Sequence, residues 1–421
     1  MNENQKKMLG NIIISAVLFI AALIMKKMSY IYKDGELHIL TGFYMALFAA
    51  TPRLEIHTDR IAGNARALLA QCAAHGIQVA AVTKVLNAHP GLLAGLAHAG
   101  VELIADSRIG NLKRVAEAGL GVRTLLLRAP TPRGAADAVH WADCSLNSSR
   151  HTVAALSAAA CLAGVTHQVI MMIDVGDLRE GLWPDLAVAE VTAVGKLPNI
   201  ELIGLGTNLA CYGGVLPSAE NMTTLIQVRD ECRAATGLPL AVLSGGNSAN
   251  LELMASGRLP TQINQLRLGE SIILGRNTLD REPWPGTRQD AVRIVAEAIE
   301  VARKPSLPIG QTGQDAFGGH PEFVDRGVRL RAICNLGRQD VVPETLTPAD
   351  PGIVVLGASS DHLILDVTDA GAPIQVGSEV AFWPNYAALL AASTSPHVYK
   401  LAVPGPGRAA SASAATKGGA G

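Results

Sequence analysis

Between Arg53 and Leu268, short apolar, β-branched runs alternate with Ala- and Leu-rich stretches of helical period. That alternation restricts the chain more than any other feature, because repeated strand-then-helix units lead to very few architectures. Eight strand-like runs stand out: Gln78–Lys84, Val101–Ala105, Arg123–Arg128, Asp143–Leu146, Gln168–Val175, Glu201–Asn208, Leu240–Gly245 and Gln262–Leu268. Amphipathic segments such as Arg60–Ala74, Asn111–Ala118, Val153–Leu162, Leu186–Val194 and Ala219–Ala235 lie between them. Eight such units read as a (β/α)8 TIM-type barrel. A doubly wound open sheet would accommodate the same runs, but their even spacing favours closure.

The pattern changes after about Asp290. Val292–Ala302, Gly327–Cys334, Ile353–Gly357, His362–Val367 and Glu379–Trp383 are separated by Pro, Gly and Asp turns, and no long helix is expected among them. The expected fold class is therefore α/β: a barrel over residues 51–289, followed by a mainly β C-terminal domain over residues 290–403. Residues 404–421 are rich in Gly, Ala and Ser and read as a disordered tail.

Residues 1–50 differ from the rest, with five lysines and no arginine against six lysines and twenty-four arginines afterwards. The shift suggests two coding histories joined together. Apolar runs at Ile12–Met25 and Ile39–Ala50 are each shorter than the roughly 20 residues that span a bilayer. The segment reads as an extraneous extension, with a membrane anchor as the alternative. Any membrane contact is confined to it, and the rest of the chain is expected in the cytoplasm.

A formal charge of −1 and 4% aromatic residues give no sign of a nucleic-acid partner. The six cysteines form no CxxC pair, so neither a disulfide framework nor a metal site is expected, and a reducing compartment fits.

The chemistry gathers at strand ends. The first run closes Ala81-Val82-Thr83-Lys84, and the carboxyl ends of barrel strands form the active face. A lysine partly desolvated there loses basicity and becomes nucleophilic enough to form an imine with an aldehyde. Alone, Lys84 would read as a snorkelling surface lysine. Other strand ends carry polar, glycine-bearing turns, however: Ile173–Gly181, Gly204–Leu209, Leu243–Ser248 and Leu266–Glu270. Such turns after the last two strands are where many barrels bind phosphate.

With these motifs the chain resembles the alanine racemase-like, fold type III enzymes that use pyridoxal 5'-phosphate, and within them the alanine/ornithine racemase family. The stretches Ile173–Gly181, Leu243–Asn250, Leu266–Arg276 and Ala358–Thr368 carry the resemblance, which spans about Thr51 to Lys400. It implies that Lys84 holds the cofactor and serves as one of two acid/base groups. It further implies that Ser248, the backbone of Gly269 and Glu270, and Tyr386 bind the phosphate. Arg179 would stand near the phenolic oxygen and orient the substrate carboxylate. Arg267 would face the pyridine nitrogen, and Asn208 stands where alanine racemases carry a histidine under the ring.

An arginine remains cationic at working pH, so the ring nitrogen beside it stays unprotonated. That weakens the electron sink and suits proton exchange at Cα with few side reactions. The competing reading of Arg267 is a pairing with a loop carboxylate. Racemisation also needs a second proton-transfer group on the opposite face. In alanine racemases that group is a tyrosine from the partner subunit, within Gly-Tyr-x-Asp. Here the corresponding place reads Gly337-Arg338-Gln339-Asp340, without the tyrosine. Asp361 and His362 are the candidates to replace it, with a structural histidine as the alternative reading of His362.

The resemblance thus implies a homodimeric amino-acid racemase, acting on ornithine or another basic amino acid. Alternatives are an alanine or broad-specificity racemase, a non-catalytic protein that binds the same cofactor, and a lyase or aldolase on the same scaffold. Asp177, Glu180 and Asp340 are candidates to hold a distal substrate ammonium.

Overall fold

The computed structural model describes residues 50–405. Both the run Ile12–Met25 and nearly all of the run at Ile39–Ala50 lie outside the described residues, as does the tail from residue 406. Among the described residues no helix is long and apolar enough to cross a membrane. Thr51–Val403 forms one compact unit.

The chain enters through β1 (Arg53–His57) and α1 (Thr58–Ala73). Eight strands then close a parallel barrel in sequence order: β2 (Gln78–Val82), β3 (Leu103–Asp106), β4 (Arg123–Leu126), β5 (Cys144–Asn147), β6 (His167–Met172), β7 (Ile200–Gly206), β8 (Val242–Asn247) and β9 (Gln265–Leu268). Every one of the eight expected runs supplies a barrel strand. The helices between them are α2 (Pro90–His98), α3 (Ile109–Glu117), α4 (Ala135–Trp141), α5 (Arg150–Ala163), α6 (Pro184–Val194), α7 (Ala219–Thr236) and α8 (Asn250–Ala255), with α9 (Glu270–Leu274) after β9. Side chains of alternate strand positions fill the barrel interior, among them Ala80, Val82, Ala105, Leu146, Ile170 and Met172. Their neighbours Val169, Met171 and Ile173 instead pack with Ala187, Val191 and Val194 of the surrounding helix.

The second part is a mainly antiparallel sheet of β10 (Val292–Pro305), β11 (Val328–Cys334), β12 (Leu346–Pro348), β13 (Val354–Ala358), β14 (Leu363–Asp366), β15 (Glu379–Pro384) and β16 (Tyr399–Val403). Its order runs β12-β15-β10-β11-β14-β13, and β1 joins β10 on one side and β16 on the other. Residues 53–57, which the sequence reading assigns to the barrel, thus belong to this sheet. Nothing local marks them: an apolar-alternating pentapeptide before a helix reads the same in either setting. A nine-residue helix, α10 (Tyr386–Thr394), also interrupts the β region where no long helix is expected. Its Ala-Ala-Leu-Leu-Ala-Ala core has no polar stripe to set a period, which hides it from pattern analysis.

All five residues of β1 are buried. Leu54 and Ile56 enter the core, and the opposite face holds a charged network. Arg53 donates to Glu55 at 2.8 Å and, through both terminal nitrogens, to Glu379 of β15 at 2.6 and 2.7 Å. Arg293 of β10, opposite Glu55 in the register, pairs with the same carboxylate. Burial alone would raise the pKa of Glu55, but its bonds to Arg293 and Arg53 outweigh this and hold it below the ordinary value.

Removing one member of such a buried network strands the others and typically costs about 3–5 kcal/mol. Glu55→Gln is expected to lower the melting temperature clearly at pH 7, as read by calorimetry. The difference from the parent should shrink as pH falls from the ordinary carboxylate range down through the lowered pKa of Glu55, where the parent loses this contribution too.

Candidate active site

The carboxyl ends of the barrel strands open into a cavity of about 660 Å³, well within the range of small-molecule sites. Lys84 stands just past β2, as the first residue of a 3₁₀ turn, Lys84–Leu86. Its side chain is exposed to this cavity. Burial, and then the nearby Arg179 guanidinium, lower its pKa from the ordinary lysine value.

The turn is held from two sides. Thr83 donates to Asp106 at 2.7 Å, and that fully buried carboxylate also accepts from Asn111 and the amide of Arg108. From the β domain, Ser393 of α10 donates to the carbonyl of Val85, and Asn87 donates to the carbonyl of Ser393 at 3.0 Å. The other end of α10 carries Tyr386 into the cavity wall. Burial, followed by the charge of Glu270, pushes the Tyr386 phenol up to about 12.

Besides Lys84, the cavity is lined by Arg179, Asn208, Ser248, Arg267, Gly269, Glu270 and Tyr386, each singled out in the sequence. Arg267 on β9 is buried and donates to Ser244 Oγ at 2.6 Å, the Thr207 carbonyl at 2.7 Å and Asn208 Oδ1 at 3.3 Å. No carboxylate pairs with it among the described salt bridges, so the loop-carboxylate reading of Arg267 fails. Burial brings it down to about 10, which leaves it cationic at neutral pH. Asn208 also accepts from Asn247 at 3.2 Å, while its own Nδ2 is buried without a partner. Ser248 Oγ accepts from the amide of Ser271 at 3.4 Å, just past the Gly269 turn. A Cβ at Gly269 would stand 3.0 Å from that of Val82, so a side chain there would crowd the wall.

Asp361 and His362 stand outside this cavity, on the exposed turn between β13 and β14. Asp361 accepts from Gln339 at 2.8 Å, and the Ser359 hydroxyl lies 3.3 Å from His362 Nδ1. Asp340 is also outside and accepts from Ser395 at 2.6 Å. Asp177 is buried and spent on backbone: it accepts from the amides of Cys211 at 3.3 Å, Tyr212 at 3.0 Å and Val215 at 3.2 Å. Gly213 sits so close that a Cβ would fall 2.6 Å from the Asp177 carbonyl oxygen. Of the three carboxylates suggested for a distal ammonium, Glu180 alone lines the cavity, beside Arg179.

Several lining residues escaped the sequence reading. Arg128 and Arg281 join Lys84, Arg179 and Arg267, so that five cationic side chains face two carboxylates, Glu180 and Glu270. Cys211 lines the same cavity, with its sulfur 3.0 Å from Arg179 Nη1. Arg128 closes an expected strand and was findable by the same rule as Lys84. Cys211 and Arg281 lie deep in loops, where spacing carries no information. Among the described residues no group of three or more His, Cys, Asp or Glu side chains is arranged to hold a metal.

Residues 56–277 match the family described as alanine racemase, N-terminal domain. The chain is 40% identical over 350 residues to ornithine racemase of Acetoanaerobium sticklandii, covering 83% of this chain and 99% of that one. It is 39% identical over 353 residues to lysine racemase of Thermotoga maritima, covering 84% and 99%. Solved structures of like fold include alanine racemase from Streptomyces lavendulae, with a TM-score of 0.62, 20% identity and coverage of 85% of this chain and 98% of that chain. Another is D-threonine aldolase from Filomicrobium marinum, with a TM-score of 0.65, 16% identity and coverage of 85% and 92%. The fold and the strand-end site define a racemase-type barrel enzyme. The chain belongs to the alanine racemase N-terminal domain family, as an amino-acid racemase.

The Asp177 arrangement makes a direct prediction. Each amide hydrogen bond to a charged acceptor contributes about 1.5–3 kcal/mol. Asp177→Ala is therefore expected to raise hydrogen exchange at residues 211, 212 and 215 by roughly tenfold or more. Exchange-resolved mass spectrometry of the 208–216 segment reads this directly, and unchanged protection would show that the loop holds itself.

Proposed function

We propose that the chain racemises a basic amino acid, ornithine or lysine, with pyridoxal phosphate held on Lys84. The observation that carries this reading is the charge of the cavity: five cations against two carboxylates suit a ligand set bearing a phosphate and a carboxylate. The orphaned Asn208 Nδ2 and the crowded Gly269 cradle fit a group that fills the cavity. Lys84 would hold the cofactor, while Ser248, Gly269, Glu270 through its backbone, and Tyr386 would take its phosphate. Arg267 would face the ring nitrogen and keep it unprotonated. When bound, the cofactor supplies the electron withdrawal that lets the Cα proton leave. Arg179 would orient the substrate carboxylate, and Glu180 would attract the distal ammonium.

Two relatives, named for ornithine and lysine, support the substrate class over the alanine alternative. A non-catalytic role as a cofactor-binding protein lacks support by comparison, because both relatives are racemases matched over nearly their whole length.

We also propose a homodimer. The segment 306–327 exposes Ile309, Phe317, Phe323 and Val324, with Phe317 lying 5.2 Å beneath the Arg338 guanidinium. The turn carrying Asp361 and His362 packs on the same Gly337–Asp340 loop, since Arg338 and Gln339 donate to the carbonyls of Ser359 and Ser360. Sedimentation should give a dimer, and a monomer at assay concentration would overturn this.

Borohydride reduction of the protein loaded with pyridoxal phosphate should fix one pyridoxyl group on Lys84, mapped by peptide mass. An adduct on another lysine would refute the assignment. Circular dichroism should show L-ornithine or L-lysine losing optical activity, with alanine far slower. Glu180→Gln should raise KM for the basic substrates by roughly tenfold or more, the worth of one charge-assisted hydrogen bond, and leave KM for alanine nearly unchanged.

A further inference from the structure

We infer that Cys211, in the chain's own cavity, is the second proton-transfer residue of the racemisation, opposite Lys84. The inference rests on the reading of Lys84 as the first such residue. Racemisation breaks the Cα–H bond on one face and forms a Cα–H bond on the other, with no net oxidation. One group must accept a proton and another must donate one. The tyrosine that alanine racemases use is missing from Gly337–Asp340, so this chain needs a different group.

The ionisable side chains lining the cavity are few. Arg128, Arg179, Arg267 and Arg281 hold their protons too tightly to exchange them. Glu270 is paired with Arg281, and Glu180 with Arg179. Burial drives Tyr386 to about 12, and the resemblance gives it to the phosphate. Cys211 remains. Its thiol is exposed to the cavity, and its sulfur accepts from Arg179 Nη1 at 3.0 Å. It lines the same cavity as Lys84 and Tyr386.

The fold holds this sulfur in place. Ala210 adopts a left-handed conformation at φ 50°, and the next amides are fastened to buried Asp177. A loop merely closing over the barrel has no need of a buried carboxylate under the cysteine. In one direction the Cys211 thiolate takes the Cα proton and becomes a thiol, while the Lys84 ammonium delivers a proton to the other face and becomes an amine. The reverse direction exchanges these roles.

The test uses the cofactor-loaded protein in D2O, with each enantiomer of ornithine supplied separately. Cys211→Ala and the shape-conserving Cys211→Ser should both reduce racemisation at least a hundredfold. One enantiomer should still exchange its Cα proton for deuterium near the parent rate, through Lys84, while exchange of the other collapses. Cofactor loading on Lys84 should be unchanged. A structural role for the thiol would slow both enantiomers alike, and that result overturns the inference. So does racemisation by both variants within threefold of the parent, or the one-sided pattern appearing in His362→Ala and not at Cys211. Failure of the parent to racemise either basic amino acid would instead refute the proposed function.

Discussion

Five positive side chains share one cavity with two carboxylates, and each carboxylate already has an arginine. Two like charges 4 Å apart repel by about 4 kcal/mol at the effective dielectric of a protein surface. The barrel accepts this cost at the ends of its strands, where its core packing is complete and the backbone turns outward. Arg267 shows how: it is buried, yet every polar contact it makes is to a hydroxyl, a carbonyl or an amide oxygen. Neutral acceptors satisfy its hydrogen bonds without cancelling its charge. The positive field is thereby kept for whatever anion enters, and an anion that binds only the folded chain stabilises it by mass action.

The same logic explains the carboxylates. Asp106 and Asp177 are both buried and both spent on donors of the protein itself, one behind the lysine turn and the other beneath the 211–215 loop. Neither neutralises the cavity. They set the positions of Lys84 and Cys211 from behind, and this separates the acids that shape the site from those that face a ligand.

Much of this was legible in the sequence because strand ends are punctuated. Lys84, Arg267 and the Ser248 and Gly269 turns follow runs whose period announces a strand, so their place on the active face followed from the barrel alone. What stayed hidden depends on long-range contact. Asp177 looked as eligible for a substrate ammonium as Glu180, since three bonds to a distant loop, or none, read alike in one dimension. The exposed turn of Asp361 and His362 looked like a site element because its family motif is local, whereas its distance from the cavity is not. Strand β1 and helix α10 were missed for the same reason: each is defined by the sheet or turn it covers, not by its own period.

Strand β1 has one further consequence. It pairs antiparallel with β10 and parallel with β16, so the barrel is an insertion within the sheet that β1 begins. A chain emerging from the ribosome makes β1 first, then the entire barrel, and only afterwards the strands that cover Leu54 and Ile56. Helix α10, which bears Tyr386 and clamps the Lys84 turn through Ser393, comes near the very end. Contacts so far apart in sequence form slowly. The lysine turn therefore receives its clamp only when synthesis is nearly finished, and a fragment released earlier carries the reactive amine without the support that positions it.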